Sequence, residues 1–388
     1  MIAPLVEPAT ELSPAEIRRY SRHLIIPGMG LDGQKRLKNA RVLVIGAGGL
    51  GSPVLTYLAA AGVGTIGIVD DDVVDESNLH RQVIHGQSDL GRLKVDSAEN
   101  SISEINPFVK VEKYPFRFEV SNALELVANF DLVVDGTDNF ATRYLANDAA
   151  VILNKPEVWG SIFQFTGQAA VFWAEHGPNY RDVFPVPPGP GQVPSCAEGG
   201  VLGVLVSSVG SIMATEAIKL ITGIGEPLIG RLMVHDARAM TYSTIQISSS
   251  GERVSELMDD YEAFCGVTNN VKKDADQAPT ITVAQLKTWL DERSVGKRDF
   301  ILVDVREPGE RRINRIEGSV LIPPAQFLNG QALEFLDSNQ QVVLYCRSGV
   351  RSETCLEIVR NAGFTDSVHV AGGINAWIEE IEPHQITY

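Results

Sequence analysis

The chain has little cysteine and no leader-like start. Four cysteines, Cys196, Cys265, Cys346 and Cys355, occur among 388 residues, and none of them forms a C-x-x-C pair. This scarcity excludes a disulfide scaffold and predicts a reducing, cytoplasmic setting in which single thiols can be reactive. The first residues also lack the basic start and apolar run of a signal peptide.

Long, purely apolar runs and positive charge are scarce as well. The uncharged stretch 199–215 carries several glycines and serines and is shorter than a membrane span of about 20 apolar residues. A buried helix is therefore predicted there, and no membrane partner. The 33 Lys and Arg residues face 49 Asp and Glu residues, a net charge of −16. A field of that sign repels nucleic acid, so no nucleic-acid partner is predicted.

What the sequence does contain is typical of globular proteins. Hydrophobic residues make up 44% and charged residues 21% of the chain, and its length predicts two or three domains. Strand-like apolar runs alternate with glycine turns and helices, which favours a parallel α/β sheet. The runs are RVLVIG (41–46), TIGIVD (65–70), FDLVVDGTDN (130–139), EVWGSIFQFTGQAAVFW (157–173), FILVDV (300–305) and QVVLYC (341–346).

Two further features of the pattern divide the chain. A long buried helix over 199–223 and paired strands around 230–248 complete a first unit, and a polar segment without apolar periodicity follows. The sequence therefore predicts an α/β fold. A Rossmann-like domain with a mixed sheet is expected over 1–258, a linker over 259–280, and a smaller α/β domain over 281–388.

A glycine-rich turn follows the first strand. Gly46, Gly48 and Gly51 fit the pattern G-x-G-x-x-G, with Gly49 between them. Such glycines let the backbone approach phosphates, and the N–H groups of the following helix attract them. Asp70 ends the second strand about 20 residues later, where a carboxylate accepts hydrogen bonds from a ribose. The motif alone predicts an adenine nucleotide, with NAD as the simplest ligand.

Polar and basic residues around this loop favour a triphosphate instead. They are Arg22, Ser77, Asn78, Arg81, Gln82 and Lys94. The pyrophosphate of a dinucleotide is bound largely by backbone N–H groups. In a reaction that releases pyrophosphate, negative charge develops on the leaving group, and positioned cations stabilise it. Any one of these residues alone is typical of a solvent-exposed surface, but their grouping around one glycine loop favours ATP as the ligand.

Four segments in this order, GAGGLGSP, VDDDVVDESNLHRQ, GRLKVDSA and DGTDNFATR, resemble the adenylating family of ubiquitin-activating enzymes. The likeness covers about residues 15–250 and is strongest to the bacterial branch that activates sulfur-carrier proteins for molybdopterin (molybdenum cofactor) and thiamin synthesis. The resemblance implies a homodimer that uses ATP and Mg²⁺. It also implies the reaction, in which the C-terminal Gly-Gly carboxylate of a ubiquitin-like carrier becomes an acyl-adenylate and pyrophosphate is released.

The same resemblance implies which residues hold ATP. They are Arg22, Gly46, Gly48, Gly49, Gly51, Asp70, Ser77, Asn78, Leu79, His80, Arg81, Lys94, Asp138 and Asn139. Arg81 and Asp138 are expected to act in catalysis. Asp138 is also the expected Mg²⁺ ligand, since a carboxylate beside phosphates needs a cation between them. Arg22 matches an arginine that the family supplies across the dimer interface.

One departure from the family concerns zinc. Many members bind a structural zinc ion through two C-x-x-C pairs. Here the first pair falls at Asn179 and Asp182, and the second is reduced to Cys265. Because structural zinc needs four good nitrogen or sulfur ligands, no zinc is expected.

Cys196 ends the proline-rich stretch FPVPPGPGQVPSC (184–196). A mobile loop would let a thiol reach an activated carboxyl and then withdraw, whereas an arbitrary cysteine is usually buried and inert. The segment PSCAEGGV resembles the reactive-cysteine segment of the family. That resemblance implies a transient acyl thioester or a disulfide with the carrier, and the sequence leaves both open.

The segment CRSGVRS (346–352) lies between a strand and a helix. This geometry aims backbone N–H groups and a helix N-terminus at the sulfur of Cys346, and Arg347 and Arg351 add positive charge. With ILVDVREPGE upstream and VAGGINAW downstream, the segment is similar to a rhodanese sulfurtransferase domain over about 281–381, which implies a persulfide on Cys346. A phosphatase loop is the alternative, but it separates Cys and Arg by five residues rather than four. Bracing or packing roles are expected for Asp304, Arg306 and Cys355.

Both halves together resemble the fused adenylyltransferase/sulfurtransferases of the MoeZ type. The expected catalytic residues are Arg81, Asp138, Cys196, Cys346, Arg347 and Arg351. The expected sulfur donor is thiosulfate or the persulfide of a cysteine desulfurase. The alternatives are an NAD-dependent oxidoreductase, which would share the glycine loop, and an adenylating enzyme whose rhodanese domain transfers no sulfur. The seven histidines show no metal-ligating spacing and are given no chemistry.

Overall fold

A computed structural model describes residues 2–188, 199–266 and 278–387. The chain divides into two compact units, Met1–Thr268 and Asn269–Tyr388. The first unit contains the glycine motif, and the second contains the CRSGVRS loop.

The described residues of the first unit form an eight-stranded sheet with helices on both faces. Its strands are β1 (Arg41–Ile45), β2 (Thr65–Val69), β3 (Lys110–Tyr114), β4 (Leu132–Asp135), β5 (Glu157–Phe163), β6 (Thr166–Phe172), β7 (Arg231–Asp236) and β8 (Thr241–Gln246). Its helices are α1 (Pro14–Arg19), α2 (Ser21–Leu24), α3 (Gly30–Asn39), α4 (Gly51–Ala61), α5 (Lys94–Ile105), α6 (Val120–Ala128), α7 (Phe140–Ile152), α8 (Tyr180–Val183), α9 (Gly203–Thr222) and α10 (Tyr261–Phe264).

The strand order of this sheet is β3-β2-β1-β4-β5-β6-β7-β8. Pairing is parallel from β3 to β5 and antiparallel from β5 to β8. Val42 and Val44 of β1 pack into one apolar cluster, and Leu43 and Ile45 pack into the other. A strand buried on both faces reads as a continuous apolar run, which is why RVLVI was recognisable. The predicted α/β fold with a mixed sheet is confirmed.

The predicted buried helix is α9, which ends at Gly223 in the left-handed conformation (φ 75°). By length and composition alone α9 could cross a membrane, and 56% of its most apolar window is buried inside the protein. It packs on α4 and against β5 and β6, which is the environment of a core helix.

Strand β3 and helix α10 are among the elements that the sequence did not predict. Strand β3 lies at the edge of the sheet, where charged side chains such as Lys110 and Lys113 are tolerated, so its sequence carries no apolar run. Helix α10 lies inside 259–280, the segment predicted to be a linker. Its Tyr261 and the following Cys265 are buried in the core of the first unit, because two apolar residues four apart share one helix face despite their acidic neighbours.

The described residues of the second unit form a smaller, five-stranded parallel sheet in the order β11-β10-β12-β13-β9. Its strands are β9 (Thr280–Ile281), β10 (Phe300–Asp304), β11 (Val320–Leu321), β12 (Gln341–Tyr345) and β13 (Ser367–Val370). Its helices are α11 (Val283–Ser294), α12 (Pro308–Ile313), α13 (Pro324–Leu328), α14 (Val350–Asn361) and α15 (Gly373–Glu380). Apolar clusters cover both faces of this sheet, as predicted for an α/β domain.

Candidate active sites

The glycine loop joins β1 to α4 at the carboxyl end of the first sheet. Gly46 has φ of 90°, and a Cβ on Gly51 would lie 1.9 Å from the Gly46 carbonyl oxygen, so this tight turn requires glycine at both positions. Asp70 supports the loop, because its Oδ2 accepts a hydrogen bond of 2.8 Å from the Ala47 N–H. Burial raises the pKa of Asp70, and the nearby charge of Lys94 opposes that rise.

A cavity of about 430 Å³ opens in front of this loop. Its walls come from the glycine loop, the segment after β2, the start of α5 and the turn after β4. The predicted residues that line it are Gly46, Gly48, Gly49, Asp70, Asn78, Arg81, Gln82, Lys94, Asp138 and Asn139. Stretches of sequence far apart in the chain therefore meet at one cavity, at the point of the parallel sheet where α/β proteins bind their ligands.

Two of the predicted cationic side chains line this cavity, Arg81 and Lys94. Arg81 donates from Nη1 to the Ser77 carbonyl at 2.8 Å, which holds its guanidinium over the turn after β2. The Lys94 side chain is 7% exposed, and its Nζ lies 2.7 Å from Oδ2 of Asp72, whose side chain is 68% exposed. Because Asp72 is largely solvated, exchanging this pair for a phosphate costs little. The two cations are thus placed to meet an anionic ligand.

Asp138 offers the cavity a carboxylate. It is exposed on the cavity wall and forms no hydrogen bond or salt bridge with the residues that the structure describes. Asp70, Asp71 and Asp72 also lie close enough together for their carboxylates to share one cation. Oxygen ligands of this kind beside phosphate-binding cations suit Mg²⁺, which Asp138 would hold when a triphosphate is bound.

The turn that carries Asp138 is fixed from behind. Oδ1 of Asp135 accepts hydrogen bonds from the Thr137 N–H at 2.9 Å and the Thr137 hydroxyl at 2.7 Å. Asn139 caps α7, since its side-chain oxygen accepts from the Thr142 N–H at 2.8 Å. Asp138 therefore projects from a backbone held on both sides.

Several predicted residues do not line the cavity. They are Arg22, Gly51, Ser77, Leu79 and His80. Gly51 allows the tight turn of the glycine loop, because a Cβ there would clash with the Gly46 carbonyl oxygen. The Ser77 hydroxyl donates to Asp75 at 2.6 Å within its own turn. His80 lies 2.9 Å from Nη1 of Arg81. Arg22 is exposed on α2, away from the cavity of its own chain.

Other cavity residues were missed from the sequence. Phe116, Arg117 and Phe118 follow the unpredicted strand β3 and line the wall. Arg143 also lines it, is 7% exposed, and donates to the Thr137 carbonyl at 3.0 Å. A signal for Arg143 was present, because it lies four residues after the helix cap Asn139 and so shares its face of α7.

Two carboxyl groups lie fully buried behind the cavity. Among the residues that the structure describes, neither oxygen of Glu157 has a hydrogen-bond partner, nor does Oδ2 of Asp135 on the neighbouring strand. Burial raises the pKa of Asp135, and burial together with the charge of Asp135 holds the pKa of Glu157 well above its usual value. The guanidinium of Arg143 opposes both shifts. Glu157 is consequently the group that stays protonated.

The positions that correspond to the family's zinc ligands carry other interactions. The Asn179 side chain accepts from the Arg181 N–H at 2.9 Å, and Asp182 accepts from the Asn179 N–H at 2.8 Å, so both residues cap α8. Cys265 is buried, and burial raises the pKa of its thiol to about 11. Since structural zinc needs a set of nitrogen or sulfur ligands, these residues do not fit a zinc site.

An ion pair lies between the same elements. Arg181 donates two hydrogen bonds, of 2.8 and 2.7 Å, to the fully buried carboxylate of Asp148 on α7. The Tyr261 hydroxyl of α10 donates to the same carboxylate at 2.6 Å. The pair therefore ties α7, α8 and α10 together.

Cys196 lies outside the described residues. In the described chain that begins at Gly199, Gly200 and Leu202 form two backbone hydrogen bonds with Gln164, of 3.1 and 3.0 Å. Ile162, in the strand just before Gln164, lines the nucleotide cavity. The chain that follows Cys196 is thus attached beside that cavity.

In the second unit the CRSGVRS loop joins β12 to α14. Cys346 is buried at the start of the loop. The Gly349 N–H donates to its sulfur at 3.1 Å, and the Ser352 hydroxyl lies 3.6 Å from it. Gly349 has φ of 107°, a conformation that favours glycine. Donors aimed at one sulfur at a helix N-terminus stabilise a thiolate or persulfide anion.

The carbonyl groups of this loop are turned away from the sulfur. Those of Cys346 and Arg347 accept hydrogen bonds from the Ile374 and Asn375 N–H groups, of 2.9 and 3.1 Å, at the start of α15. A Cβ on Gly373 would lie 2.4 Å from the Cys346 carbonyl oxygen. The VAGGINAW turn therefore holds these two carbonyl groups, while the Gly349 N–H of the same loop donates to the sulfur.

Charged pairs surround the loop. Arg351 donates two hydrogen bonds of 2.8 Å to Glu310. Asp304 and Arg306 form a fully buried pair at 2.8 Å, which agrees with the predicted bracing role. Cys355 packs in an apolar cluster, and burial raises the pKa of its thiol to about 12.

Two protein-family models match the chain, one in each of its two units. A family model described as the ThiF family matches residues 20–255, more than half of the chain. The chain belongs to the ThiF family. A second model, described as a rhodanese-like domain, matches residues 282–380. The predicted order, an adenylating domain followed by a rhodanese domain, is confirmed.

One relative matches the whole chain, and others match about two thirds of it. The chain is 57% identical to the "probable adenylyltransferase/sulfurtransferase MoeZ" of Mycobacterium tuberculosis, over 100% of this chain and 99% of that protein. It is 51% identical to the "sulfur carrier protein adenylyltransferase" of Thermus thermophilus, over 65% of this chain and 97% of that protein. The crystal structure of E. coli MccB with MccA-N7isoASN superposes with a TM-score of 0.56 at 21% identity, covering 63% of this chain and 75% of that chain. At that identity the likeness shows the fold alone.

Proposed function

We propose that this protein uses ATP to adenylate the C-terminal Gly-Gly carboxylate of a ubiquitin-like sulfur-carrier protein and then replaces the AMP with persulfide sulfur from Cys346. The product is a carrier with a C-terminal thiocarboxylate. The observation that carries the proposal is the presence in one chain of a cation-lined cavity at a glycine loop and of a donor-lined cysteine loop.

In the adenylating step the carrier carboxylate attacks the α-phosphorus of ATP, and pyrophosphate leaves. Charge then accumulates on the leaving group, and Arg81 and Lys94 stabilise it from the cavity wall. Asp138 would hold Mg²⁺ beside the phosphates, where the ion would offset their negative charge. The glycine loop presents backbone N–H groups to the phosphates, and Asp70 keeps that loop in place through Ala47.

In the sulfur step the outer sulfur of the Cys346 persulfide attacks the acyl carbon, and AMP leaves. The resulting acyl disulfide links the carrier to Cys346, and a second thiol must take up the inner sulfur to release the thiocarboxylate. Cys196 is the candidate, either by forming a disulfide with Cys346 or by first holding the carrier as a thioester. The covalent tether keeps the sulfur donor at a high effective concentration.

The assembly that we propose is a homodimer in which Arg22 completes the partner's nucleotide site. Arg22 lies away from the cavity of its own chain, and the exposed apolar side chains of Ile25 and Ile26, 70% and 47% exposed, follow it closely. Mixing Arg22→Ala protein with Lys94→Ala protein tests this. Mixed dimers would regain adenylation at one site, whereas equal inactivity of the mixture and its parents would place Arg22 elsewhere.

A reducing, cytoplasmic location fits this chemistry. Cys265, Cys346 and Cys355, the cysteines among the described residues, are free thiols. The donor that loads Cys346 would be thiosulfate or the persulfide of a cysteine desulfurase. Carriers of the molybdenum cofactor and thiamin routes are the candidate clients.

The decisive experiment follows the mass of the carrier. The protein is incubated with ATP, Mg²⁺, thiosulfate and a panel of Gly-Gly carriers, and each carrier is weighed by intact mass spectrometry. Exchange of one oxygen for one sulfur supports the proposal and names the client. Absence of AMP and sulfur from every carrier, in protein that binds ATP, would overturn it.

Variants assign each step. Lys94→Ala is expected to abolish both modifications, and Cys346→Ala to leave the AMP adduct but block the sulfur. Cys355→Ala is the matched control, because that thiol packs in the apolar core of the same unit. Sulfur transfer that survives in the Cys346→Ala protein would mean that the rhodanese domain is non-catalytic. Tight binding of NADH rather than Mg-ATP, measured by calorimetry, would favour an oxidoreductase.

A further inference from the structure

His369, to which the sequence assigns no chemistry, lies buried behind the sulfur loop at 6% exposure. It belongs to β13, and its two ring nitrogens face hydroxyl groups from two other elements. Nδ1 lies 3.5 Å from Oγ of Ser352 on α14, and Nε2 lies 3.0 Å from Oγ1 of Thr280 on β9. A buried imidazole between two hydroxyls exchanges hydrogen bonds with both of them.

Ser352 connects His369 to the reacting sulfur. Its hydroxyl is fully buried, donates to the Gly349 carbonyl at 2.8 Å, and lies 3.6 Å from the sulfur of Cys346. The hydroxyl has a single proton, so it cannot serve the carbonyl and the sulfur at the same time. When the sulfur is an anion, a charge-assisted bond to it is the stronger of the two.

The Gly349 carbonyl keeps a hydrogen-bond donor when the Ser352 hydroxyl rotates toward the sulfur. It still accepts from the Glu353 N–H at 3.0 Å in the first turn of α14. The Ser352 oxygen then keeps a lone pair on the side of Nδ1. A ring N–H at that position satisfies the lone pair and makes the hydroxyl a better donor, because hydrogen bonds in a chain polarise one another.

We propose that His369 is a positioning residue for sulfur transfer: its Nδ1–H donates to Ser352 and directs the Ser352 hydroxyl toward the anionic sulfur of Cys346. In this arrangement the Thr280 hydroxyl turns from the Ala278 carbonyl, to which it donates at 2.5 Å, and donates to Nε2. The inference rests on the proposed function, since it assigns a role in the chemistry of the Cys346 sulfur.

The electrostatic environment keeps His369 neutral, as this arrangement requires. Burial lowers the pKa of His369, and the charge of Glu353 on α14 and the Gly349 carbonyl oppose that shift without reversing it. The group that faces it from β9 is the uncharged Thr280. A neutral ring places no fixed charge beside the sulfur, so its effect is exerted through Ser352.

Three substitutions in the full chain separate the two sides of the ring. His369→Asn places an amide donor near the Nδ1 position and so conserves the contact with Ser352. His369→Gln places its amide near the Nε2 position and conserves only the contact with Thr280. His369→Leu removes both contacts and keeps an apolar side chain of similar size.

The readout is the alkylation of Cys346 by iodoacetamide across a pH series, followed by peptide mass spectrometry. Alkylation reports the thiolate fraction without requiring sulfur transfer. Loss of a hydrogen bond to the anion in the Leu and Gln variants should slow alkylation by about 3- to 10-fold on the acidic side of the profile. The Asn variant should stay within about twofold of the wild type. Thiosulfate:cyanide sulfur transfer should follow the same ranking.

The outcomes separate this inference from the proposed function. Identical alkylation profiles in all variants would overturn the inference, as would equal losses in the Asn, Gln and Leu proteins, which would mean a structural role. If the variants show the expected alkylation ranking but the wild-type protein transfers no sulfur, the proposed function alone is overturned.

Discussion

Both oxygens of Glu310 bind the guanidinium of Arg351, each at 2.8 Å, and the two side chains are only 13% exposed. The sequence predicts Arg351 as a source of positive charge for the sulfur loop. The structure shows that a carboxylate from α12 already neutralises much of that charge. The loop therefore depends on hydrogen-bond donors such as the Gly349 N–H as well as on net charge.

This pair gives a first prediction. Glu310→Gln removes the negative charge near the loop, so thiosulfate, an anion, should bind more tightly. We expect its KM to fall about 3- to 10-fold at low salt, an effect that high salt weakens. The measurement is the thiosulfate:cyanide assay at two ionic strengths. Glu317→Gln is the control, since that side chain is 83% exposed, and equal KM values for both variants would refute the prediction.

Lys94 gives a second prediction. Its ammonium is buried at the cavity, and its ion-pair partner among the described residues is the solvated Asp72, so it can turn to a phosphate. Lys94→Ala should lower carrier-dependent ATP–pyrophosphate exchange by about 10²-fold or more, the usual effect of removing one positioned donor. Lys110→Ala, at an exposed edge-strand position, should have no effect. Exchange within about twofold of the wild type in Lys94→Ala would remove Lys94 from the mechanism.

The Asp148–Arg181 pair gives a third prediction, which concerns zinc. Because it ties α7, α8 and α10 together, the first unit should keep its Tm after treatment with a chelator, and purified protein should contain no stoichiometric zinc. Asp148→Asn leaves the charge of Arg181 unpaired and should lower the free energy of unfolding by about 3–5 kcal/mol. Asp291→Asn, in the exposed Lys287–Asp291 pair, should cost at most about 0.5 kcal/mol. One equivalent of tightly bound zinc in the purified protein would contradict the prediction that the first unit folds without zinc.

The fourth prediction concerns pH. The pKa of Glu157 is well above its usual value in the folded protein, so its proton is bound more tightly there than in the unfolded chain. Stability is then unaffected below the unfolded-state pKa and falls as pH rises toward the folded-state pKa, by about 1.4 kcal/mol per pH unit between the two. Glu157→Gln lacks this loss.

The measurement is urea unfolding followed by hydrogen exchange of β5 peptides at about pH 5 and about pH 8. The variant should gain stability relative to the wild type at the higher pH only. Glu125→Gln, at an exposed position of α6, serves as the control. A difference between Glu157→Gln and the wild type that is the same at both pH values would show that no proton is involved.

The sequence was informative where burial determines residue type. Strands β1 and β2 are covered on both faces, so their sequences are apolar runs. The edge strand β3 needs no apolar residues, so its sequence carried no pattern from which a strand could be predicted. Missing β3 also hid Phe116 and Phe118, which follow it into the cavity. An element's position in the sheet therefore limited what its composition could reveal.

The candidate sites divide in the same way. Local motifs placed Cys346 and the glycine loop, because a strand–loop–helix turn is built from neighbouring residues. The Arg351–Glu310 and His369–Ser352 contacts join segments far apart in the chain, and no spacing rule relates them. The buried Glu157 looked like one more polar residue at the start of a strand, since only the packed structure shows that its oxygens lack partners among the described residues.

The edge strand β9 of the second sheet consists of Thr280 and Ile281 and pairs with His369 and Val370. Ala278 just before it packs against the core of the same unit. A recombinant fragment cut at residue 281 would thus lose the Thr280 hydroxyl and half of the strand, whereas one beginning at 269 would retain both. Where the gene is cut therefore determines whether an isolated sulfur domain reports the chemistry of the intact enzyme.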